Sequence, residues 1–302
     1  MRKLEIVHRT RYEYAEPVTL GEYRLMFRPR DSHDLRLIST NLTIKPGAQV
    51  RWIHDPFSNS IAITSFDAEP VTELEFVSSI VLEHYGVPPD VPTIEGYARK
   101  LPFSYLAEEA PDLARYVERH YPDPNAAVST WARRFLESEG DDETFATLSR
   151  MCKGIQGSLQ YAMRFEPGTQ APATTLETGG GTCRDYALLM IEGARALGLA
   201  ARFITGYLYD PVAAKSDAEE ARLPSQPHAW MEVYLPGAGW IEFDPTNGIV
   251  GSERLVRIAV GRDPEQAMPI KGTFTGAAGV GIVAHVEVNI RAVEGADPTT
   301  AA

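Results

Sequence analysis

Two cysteines among 302 residues, Cys152 and Cys183, are too few for a disulfide framework, and they stand in unlike local sequence. No apolar run approaches the length needed to span a bilayer. The opening Met1-Arg-Lys-Leu-Glu-Ile-Val-His-Arg9 breaks off too soon for a signal peptide, so a cytoplasmic location without membrane contact is expected. Basic residues are outnumbered, 29 Lys and Arg against 41 Asp and Glu, and the net charge of −12 argues against nucleic acid as a partner. That charge mildly favours neutral or basic substrates, although its first use is solubility. What is there is the make-up of an ordinary globular chain, 44% hydrophobic and 23% charged, long enough for one large or two moderate cores.

From Leu4 to about Leu82 short alternating or apolar runs are separated by Pro, Gly, Asn and Asp, as in Leu35–Ile44, Ser60–Ser65 and Leu74–Leu82. This reads as an antiparallel β sandwich or barrel. The Pro-rich Val87–Pro92 marks a boundary, so residues 1–90 are expected to form an N-terminal β domain. Helical patterns follow over 113–120, 126–137 and 142–163, giving a helical connection over 91–150 and a core over 151–260 that gains strands from Ala201 onward. Residues 261–302 are expected to be an extension whose strand, Gly281–Ile290, returns to the N-terminal sheet, with a loose tail from Glu294. The polar stretch 210–226 reads as a loop, either a tolerated insertion or a lid.

Cys183 lies in Thr178-Gly-Gly-Gly-Thr-Cys-Arg-Asp-Tyr-Ala187, just before an apolar pattern of helical spacing, Ala187, Leu188, Met190, Ile191, Ala194 and Leu197. Thr182 is the expected N-cap and Asp185, three residues on, its capping-box partner; both are structural in this reading. Cys183 then takes the first helical position, where backbone N–H groups and the helix dipole favour a thiolate. Gly179, Gly180 and Gly181 allow a sharp turn and the close approach of a substrate backbone. Cys152, by contrast, belongs to the stripe Phe145, Leu148, Met151, Cys152, Ile155, Leu159 and reads as core.

Two later blocks supply partners for the thiol. Gln226-Pro-His-Ala-Trp-Met-Glu-Val-Tyr234 sets His228 and Trp230 on one face of a strand, and Gly239-Trp-Ile-Glu-Phe-Asp-Pro-Thr-Asn247 sets Asp244 at the end of the next. A hairpin through Pro236–Gly239 brings the two strands together, yet His228 lies seven residues from Leu235 and Asp244 only four from Trp240. Strict opposition therefore does not align them without a bulge or another turn boundary. Trp230 and Trp240 are candidates to shape an acyl-donor channel, with at least one of them expected in the core.

Gly-Thr-Cys-Arg-Asp-Tyr-Ala, His-Ala-Trp-Met-Glu-Val-Tyr and Gly-Trp-Ile-Glu-Phe-Asp-Pro-Thr-Asn, in that order, resemble the bacterial transglutaminase-like superfamily. His8-Arg-Thr-Arg-Tyr12, Arg28-Pro-Arg30 and Asp55-Pro-Phe-Ser-Asn59 are similar to the β domain that precedes its catalytic domain in one bacterial branch. Gly261-Arg-Asp263 and Pro269–Gly272 resemble its C-terminal extension, with a departure at Asp263-Pro-Glu-Gln-Ala-Met-Pro269. The resemblance implies an α+β chain, a papain-like transglutaminase core preceded by an antiparallel β-sandwich-like domain. It further implies Cys183 as nucleophile, His228 as base and Asp244 as the carboxylate orienting that base.

The implied chemistry is cysteine-dependent acyl transfer or hydrolysis on protein or peptide amides through a thioester, with an amine or water as acceptor. The oxyanion would meet the Cys183 backbone N–H and a second donor, for which Tyr161 and Gln160 are the candidates. No cofactor is expected, and Cys183, His228 and Asp244 lack the spacing of a zinc site, so no metal is expected either. A cysteine protease or amidase, and a non-catalytic protein-binding module, remain open alternatives, as do the substrate and the oligomeric state.

Overall fold

Residues 2–28 alternate buried and accessible positions almost without interruption, with Leu4, Ile6, His8 and Thr10 and later Val18, Leu20, Tyr23 and Leu25 turned inward. That period of two is the condition for one long strand, β1 (Arg2–Arg28). The computed structural model describes residues 1–86, 92–136, 142–162, 168–210 and 227–293. The expected boundary segment Val87–Pro92, apart from Pro92 itself, most of the loop 210–226, and the tail from Glu294 lie outside the described residues.

Four further strands of the N-terminal unit follow: β2 (Leu35–Lys45), β3 (Gln49–His54), β4 (Ser60–Ser65) and β5 (Val71–His84). Their order is β2-β5-β1-β4-β3, antiparallel throughout. The first half of β1 pairs with β5 and the second half with β4, with a register shift between Glu13 and Val18 where Pro17 cannot donate to the ladder. The two halves pack on one another through Tyr14, Leu20, Leu25, Phe27, Leu74 and Phe76, the sandwich read from the sequence pattern.

The middle of the chain forms α1 (Ala110–Val117), α2 (Ala127–Arg133), α3 (Thr144–Ser158), β6 (Gln160–Tyr161), α4 (Pro172–Thr178), β7 (Gly180–Gly181), α5 (Cys183–Ala196), β8 (Ala201–Leu208), β9 (Pro227–Leu235), β10 (Gly239–Asp244), β11 (Ile249–Val250) and β12 (Leu255–Gly261). A five-stranded sheet, β11-β10-β9-β8-β12, supports α5 on one face through Ala187, Met190, Ile191, Phe203, Met231 and Phe243. The helical pattern expected over 142–163 stops at Ser158, because Gln160 and Tyr161 leave the helix to pair in parallel with Gly180 and Gly181. Helix α4 had no forecast; Pro172 at its first turn and Gly179 at φ 69° after its end are the two residues that bound it.

β13 (Ile270–Thr275) and β14 (Ile282–Ala292) return to opposite halves of β1, so the C-terminal segment is sheet of the N-terminal unit. Between β12 and β13 the departure segment forms a tight turn over Pro264–Ala267 in which Gln266 Oε1 accepts from the Arg262 and Asp263 backbone N–H groups. The C-terminal end of α5 is held by a buried ion cluster that periodicity does not reveal. Arg195, 3% exposed, donates to Glu192 at 2.9 Å and to the carbonyls of Tyr116, Ala201 and Arg262, while Arg119 meets the other Glu192 oxygen at 3.0 Å.

The two units meet over an apolar contact of Leu4, Ile6, Leu82 and Val288 with Tyr207, Val256 and Ile258. Asn59 crosses this boundary as a buried clamp: its Nδ2 donates to the Val260 carbonyl at 2.6 Å and its Oδ1 accepts from the Val260 N–H at 2.9 Å. Removing it leaves two buried backbone groups without partners, so Asn59→Ala is expected to lower unfolding free energy by about 1–3 kcal/mol in urea denaturation. Arg2→Ala, which removes partly exposed contacts across the same boundary, the ion pair and carbonyl hydrogen bond to Glu253 and the stacking over Tyr209, is expected to cost no more than about 1 kcal/mol. His8, buried beside Tyr207 at 2.8 Å, is pushed down to about 4 by burial. Its neutral form stabilises the fold above pH 6.5, and that stability is lost as pH falls towards 4. His8→Gln is therefore expected to flatten the loss of stability between those values.

Candidate active site

The entry to α5 is fixed by one carboxylate. Thr182 takes an extended N-cap conformation, and Asp185 Oδ2 accepts from the Thr182 N–H at 2.8 Å and from its hydroxyl at 2.9 Å. Asp185 is fully buried, and its second oxygen accepts from the Gln170 N–H at 2.6 Å. Thr182 and Asp185 thus hold the capping roles read from their spacing, and Cys183 begins the helix as a half-buried free thiol. The glycines before it are required by contact: a Cβ on Gly181 would lie 2.8 Å from that of Asp185, and one on Gly180 would lie 2.6 Å from the Gln160 carbonyl oxygen.

That contact brings Gln160 and Tyr161 alongside the thiol. Gln160 N–H donates to the Gly179 carbonyl and Ala162 N–H to that of Gly181, and both the Gln160 and Tyr161 side chains remain exposed. The Tyr161 ring meets Tyr186 edge-on at 6.3 Å; burial of its hydroxyl, then the neighbouring Cys183, pushes it up to about 12. The Gln160–Tyr161 strand therefore runs beside the two glycines that lead into the helix terminus, and of its two side chains Tyr161 is the one close enough to feel the Cys183 charge.

His228 and Asp244 come together without a bulge. The β9–β10 register pairs Gly239 with Leu235 and Phe243 with Met231, so Asp244 stands beyond Met231 and diagonal to His228 on the same face. Diagonal neighbours on one face of a sheet lie within reach of long side chains. His228 Nε2 donates to Asp244 Oδ2 at 2.8 Å, which leaves Nδ1 as the ring nitrogen for Cys183. Burial alone would lower the His228 pKa, but the charge and hydrogen bond of Asp244, followed by the hydrogen bond to Cys183, raise it to about 10. Asp244 is fully buried; burial opposes its ionisation, yet the His228 charge and three further donors hold it below the ordinary carboxylate range. Those donors are the Thr246 N–H at 3.0 Å, the Asn247 N–H at 3.3 Å and the Asn247 Nδ2 at 2.7 Å.

Asn247 is the site residue that the sequence reading passed over, although the turn Asp-Pro-Thr-Asn directly after a strand carries its signal: a carboxylate followed by N–H groups two and three residues on. Trp230 is fully buried and stacks beneath His228 at 6.0 Å and 26°, with Gly206 leaving the room its ring needs. It supports the base from within the core instead of lining a channel. Trp240 stands near the opposite end of β10, four positions before Asp244, against Tyr116, Tyr234 and Arg202. Cys152 is buried in the core and donates its S–H to the Ile249 carbonyl at 3.6 Å; burial, then the charge of nearby Asp244, raises its pKa well above that of a free thiol. Among the described residues no group of three or more His, Cys, Asp or Glu is placed to hold a metal, and no helix is long and apolar enough to cross a membrane.

Residues 114–245 match the model of the transglutaminase-like superfamily, and residues 4–83 that of the bacterial transglutaminase-like N-terminal region. The uncharacterized protein ML0607 of Mycobacterium leprae is 25% identical over 95% of this chain and 99% of its own length. The uncharacterized protein Rv2569c of Mycobacterium tuberculosis is 26% identical over 89% of this chain and 87% of its own. The crystal structure of a candidate cysteine protease from Cytophaga hutchinsonii superposes with a TM-score of 0.69 at 16% identity, covering 98% of this chain and 92% of that one, which shows a common fold across both units. The two matched regions together take in most of the chain, which thus carries a core of the transglutaminase-like superfamily preceded by the bacterial transglutaminase-like N-terminal region.

Proposed function

We propose that this chain is a cysteine-dependent enzyme that transfers or hydrolyses acyl groups of protein or peptide amides. The observation that carries the reading is a buried His228–Asp244 pair whose remaining ring nitrogen faces a half-buried thiol at the first turn of a helix. In the proposed reaction His228 holds the Cys183 proton at Nδ1 as the imidazolium, and the sulfur attacks the amide carbonyl. The oxyanion is met by the Cys183 backbone N–H together with Gln160 or Tyr161. The C–N bond then breaks, the amine leaves with the proton from His228, and a thioester on Cys183 remains. An amine or water then attacks the thioester carbonyl as His228 takes its proton; the C–S bond breaks, the amide or acid product leaves, and His228 returns the proton to the sulfur.

Asp244, fixed by Thr246 and Asn247, accepts the Nε2–H hydrogen bond as a carboxylate, so it stabilises the imidazolium and holds Nδ1 towards the sulfur. The name given to the Cytophaga protein favours water as the acceptor, making this a protease or amidase; an amine acceptor would make it a transglutaminase. A reducing compartment such as the cytoplasm suits a free nucleophilic thiol.

Two assays separate the acceptors: incorporation of monodansylcadaverine into dimethylcasein reports amine transfer, and peptide release from casein reports hydrolysis. Cys183→Ala and His228→Ala are expected to lose activity by at least about 10²-fold in whichever assay is positive, with Cys152→Ala unchanged; activity retained by Cys183→Ala would sink the reading. Iodoacetamide labelling followed by mass spectrometry gives a substrate-free check, with Cys183 labelled readily in wild type, slowly in His228→Ala, and Cys152 inert in both.

The raised His228 pKa has a defined effect on stability. The folded state favours the imidazolium, so this contribution is complete below pH 6.5 and is lost as pH rises towards about 10. Unfolding free energy is expected to fall across that window in wild type and to fall less in His228→Gln, as followed by urea denaturation at successive pH values.

A further inference from the structure

At the C-terminal end of α5, where Arg195 donates to the Arg262 carbonyl at 2.8 Å, the two units enclose a groove of about 590 Å³. The 14 residues of α5, at 1.5 Å each, set it roughly 20 Å from Cys183. Its floor is apolar, made of Met26, Phe57 and Met268, and its rim carries Arg24, Lys271, Arg115 and Arg262. Four cations around one groove run against the −12 charge of the whole chain.

Against these four cations the lining sets two acids, Asp55 and Glu265. Asp55 is occupied by its own turn, accepting from the N–H groups of Phe57 and Asn59 and from Asn59 Nδ2 at 2.8–2.9 Å. Glu265 is the other acid in the lining. Arg115 and Arg262 have acidic neighbours, Glu118 and Asp263. Arg24 and Lys271 do not. They oppose one another in register across β1 and β13, both exposed, and among the described residues neither has an ion-pair or hydrogen-bond partner. Like charges placed directly across a sheet are destabilising, so this pair gains nothing for the fold by itself.

We propose that this groove docks an acidic peptide segment of a partner protein, with carboxylates over Arg24 and Lys271 and an apolar side chain against Phe57 and Met268. Anionic membranes and nucleic acid are disfavoured as occupants because each presents an extended negative surface to a chain that is itself strongly acidic. The docking surface goes beyond the proposed thiol chemistry, and a direct binding measurement keeps the two separate.

The probe is a fluorescein-labelled peptide alternating Glu with Leu and Phe, followed by anisotropy at low salt; a Gln-for-Glu peptide and phosphatidylglycerol vesicles serve as comparisons. Saturable binding of the acidic peptide alone is expected, weakened at least tenfold by Arg24→Glu and by Lys271→Gln, and unchanged by Arg134→Glu, an exposed position outside the groove. Arg24→Glu turns the cross-strand repulsion into attraction, so its melting temperature is expected to equal or exceed that of wild type while binding is lost. No saturable binding, equal affinity in wild type and Lys271→Gln, an equal loss in Arg134→Glu, or preference for the vesicles would each overturn the proposal.

Discussion

The buried Asp185 carboxylate is the constraint on which the site depends. It closes the capping box with Thr182, draws in the Gln170 backbone, and sits so close to Gly181 that no side chain fits there. Each contact acts on a different part of the chain, yet all converge on the first turn of α5. The strand β7 is thereby set beside β6, which is how Gln160 and Tyr161 come to run beside the glycines that lead into a cysteine more than twenty positions later. A capping residue that in another helix would contribute about 1 kcal/mol here also determines where the thiol stands relative to its neighbours.

The site joins two kinds of support that differ in rigidity. His228 and Asp244 belong to adjacent strands of one sheet, whose hydrogen-bond ladder sets their separation. Cys183 belongs to a helix, and its position relative to His228 rests on side-chain packing of α5 against β8 and β9. Packing is less directional than a ladder, and the Arg195–Glu192 cluster supplies direction at the far end of the helix, fixing it to α1, β8 and the segment after β12. Helix α5 is thus secured at its first turn by a carboxylate and at its last by a guanidinium, with apolar contact between.

Local signals made much of this legible. The N-cap, the glycine run and the apolar period identify α5 and its first residue because capping and periodicity act within a few residues. The alternation around His228 identifies β9 for the same reason. Inference between separate segments did less well: the return of β14 to the N-terminal sheet was legible, but the meeting of His228 with Asp244 was not. Counting residues from the hairpin turn treats partners as directly opposite, whereas His228 and Asp244 meet diagonally, a geometry set by side-chain reach and not by residue number. Trp240 looks equivalent to Trp230 in sequence, but the strand carries it away from Asp244 to a different neighbourhood around Arg202 and Tyr116. Nothing local marks Arg195 and Glu192 as interior; the arrival of Tyr116, Arg119 and Arg262 from distant sequence makes them so.

The same non-local logic governs the relation between the two units. β14 completes the N-terminal sheet by pairing with β1 from Leu4 to Tyr14, so that sheet needs residues synthesised after the whole catalytic sheet. The catalytic sheet in turn buries Tyr207, Val256 and Ile258 against Leu4, Ile6 and Val288, and Asn59 clamps Val260 across the boundary. Neither unit presents a complete apolar surface to itself. A chain arranged in this way gains most of its long-range contacts together, because closing β14 onto β1 aligns the surface on which β8 and β12 rest. The N-terminal unit, which supplies no residue to the candidate triad, is on this argument part of the support of the sheet that does.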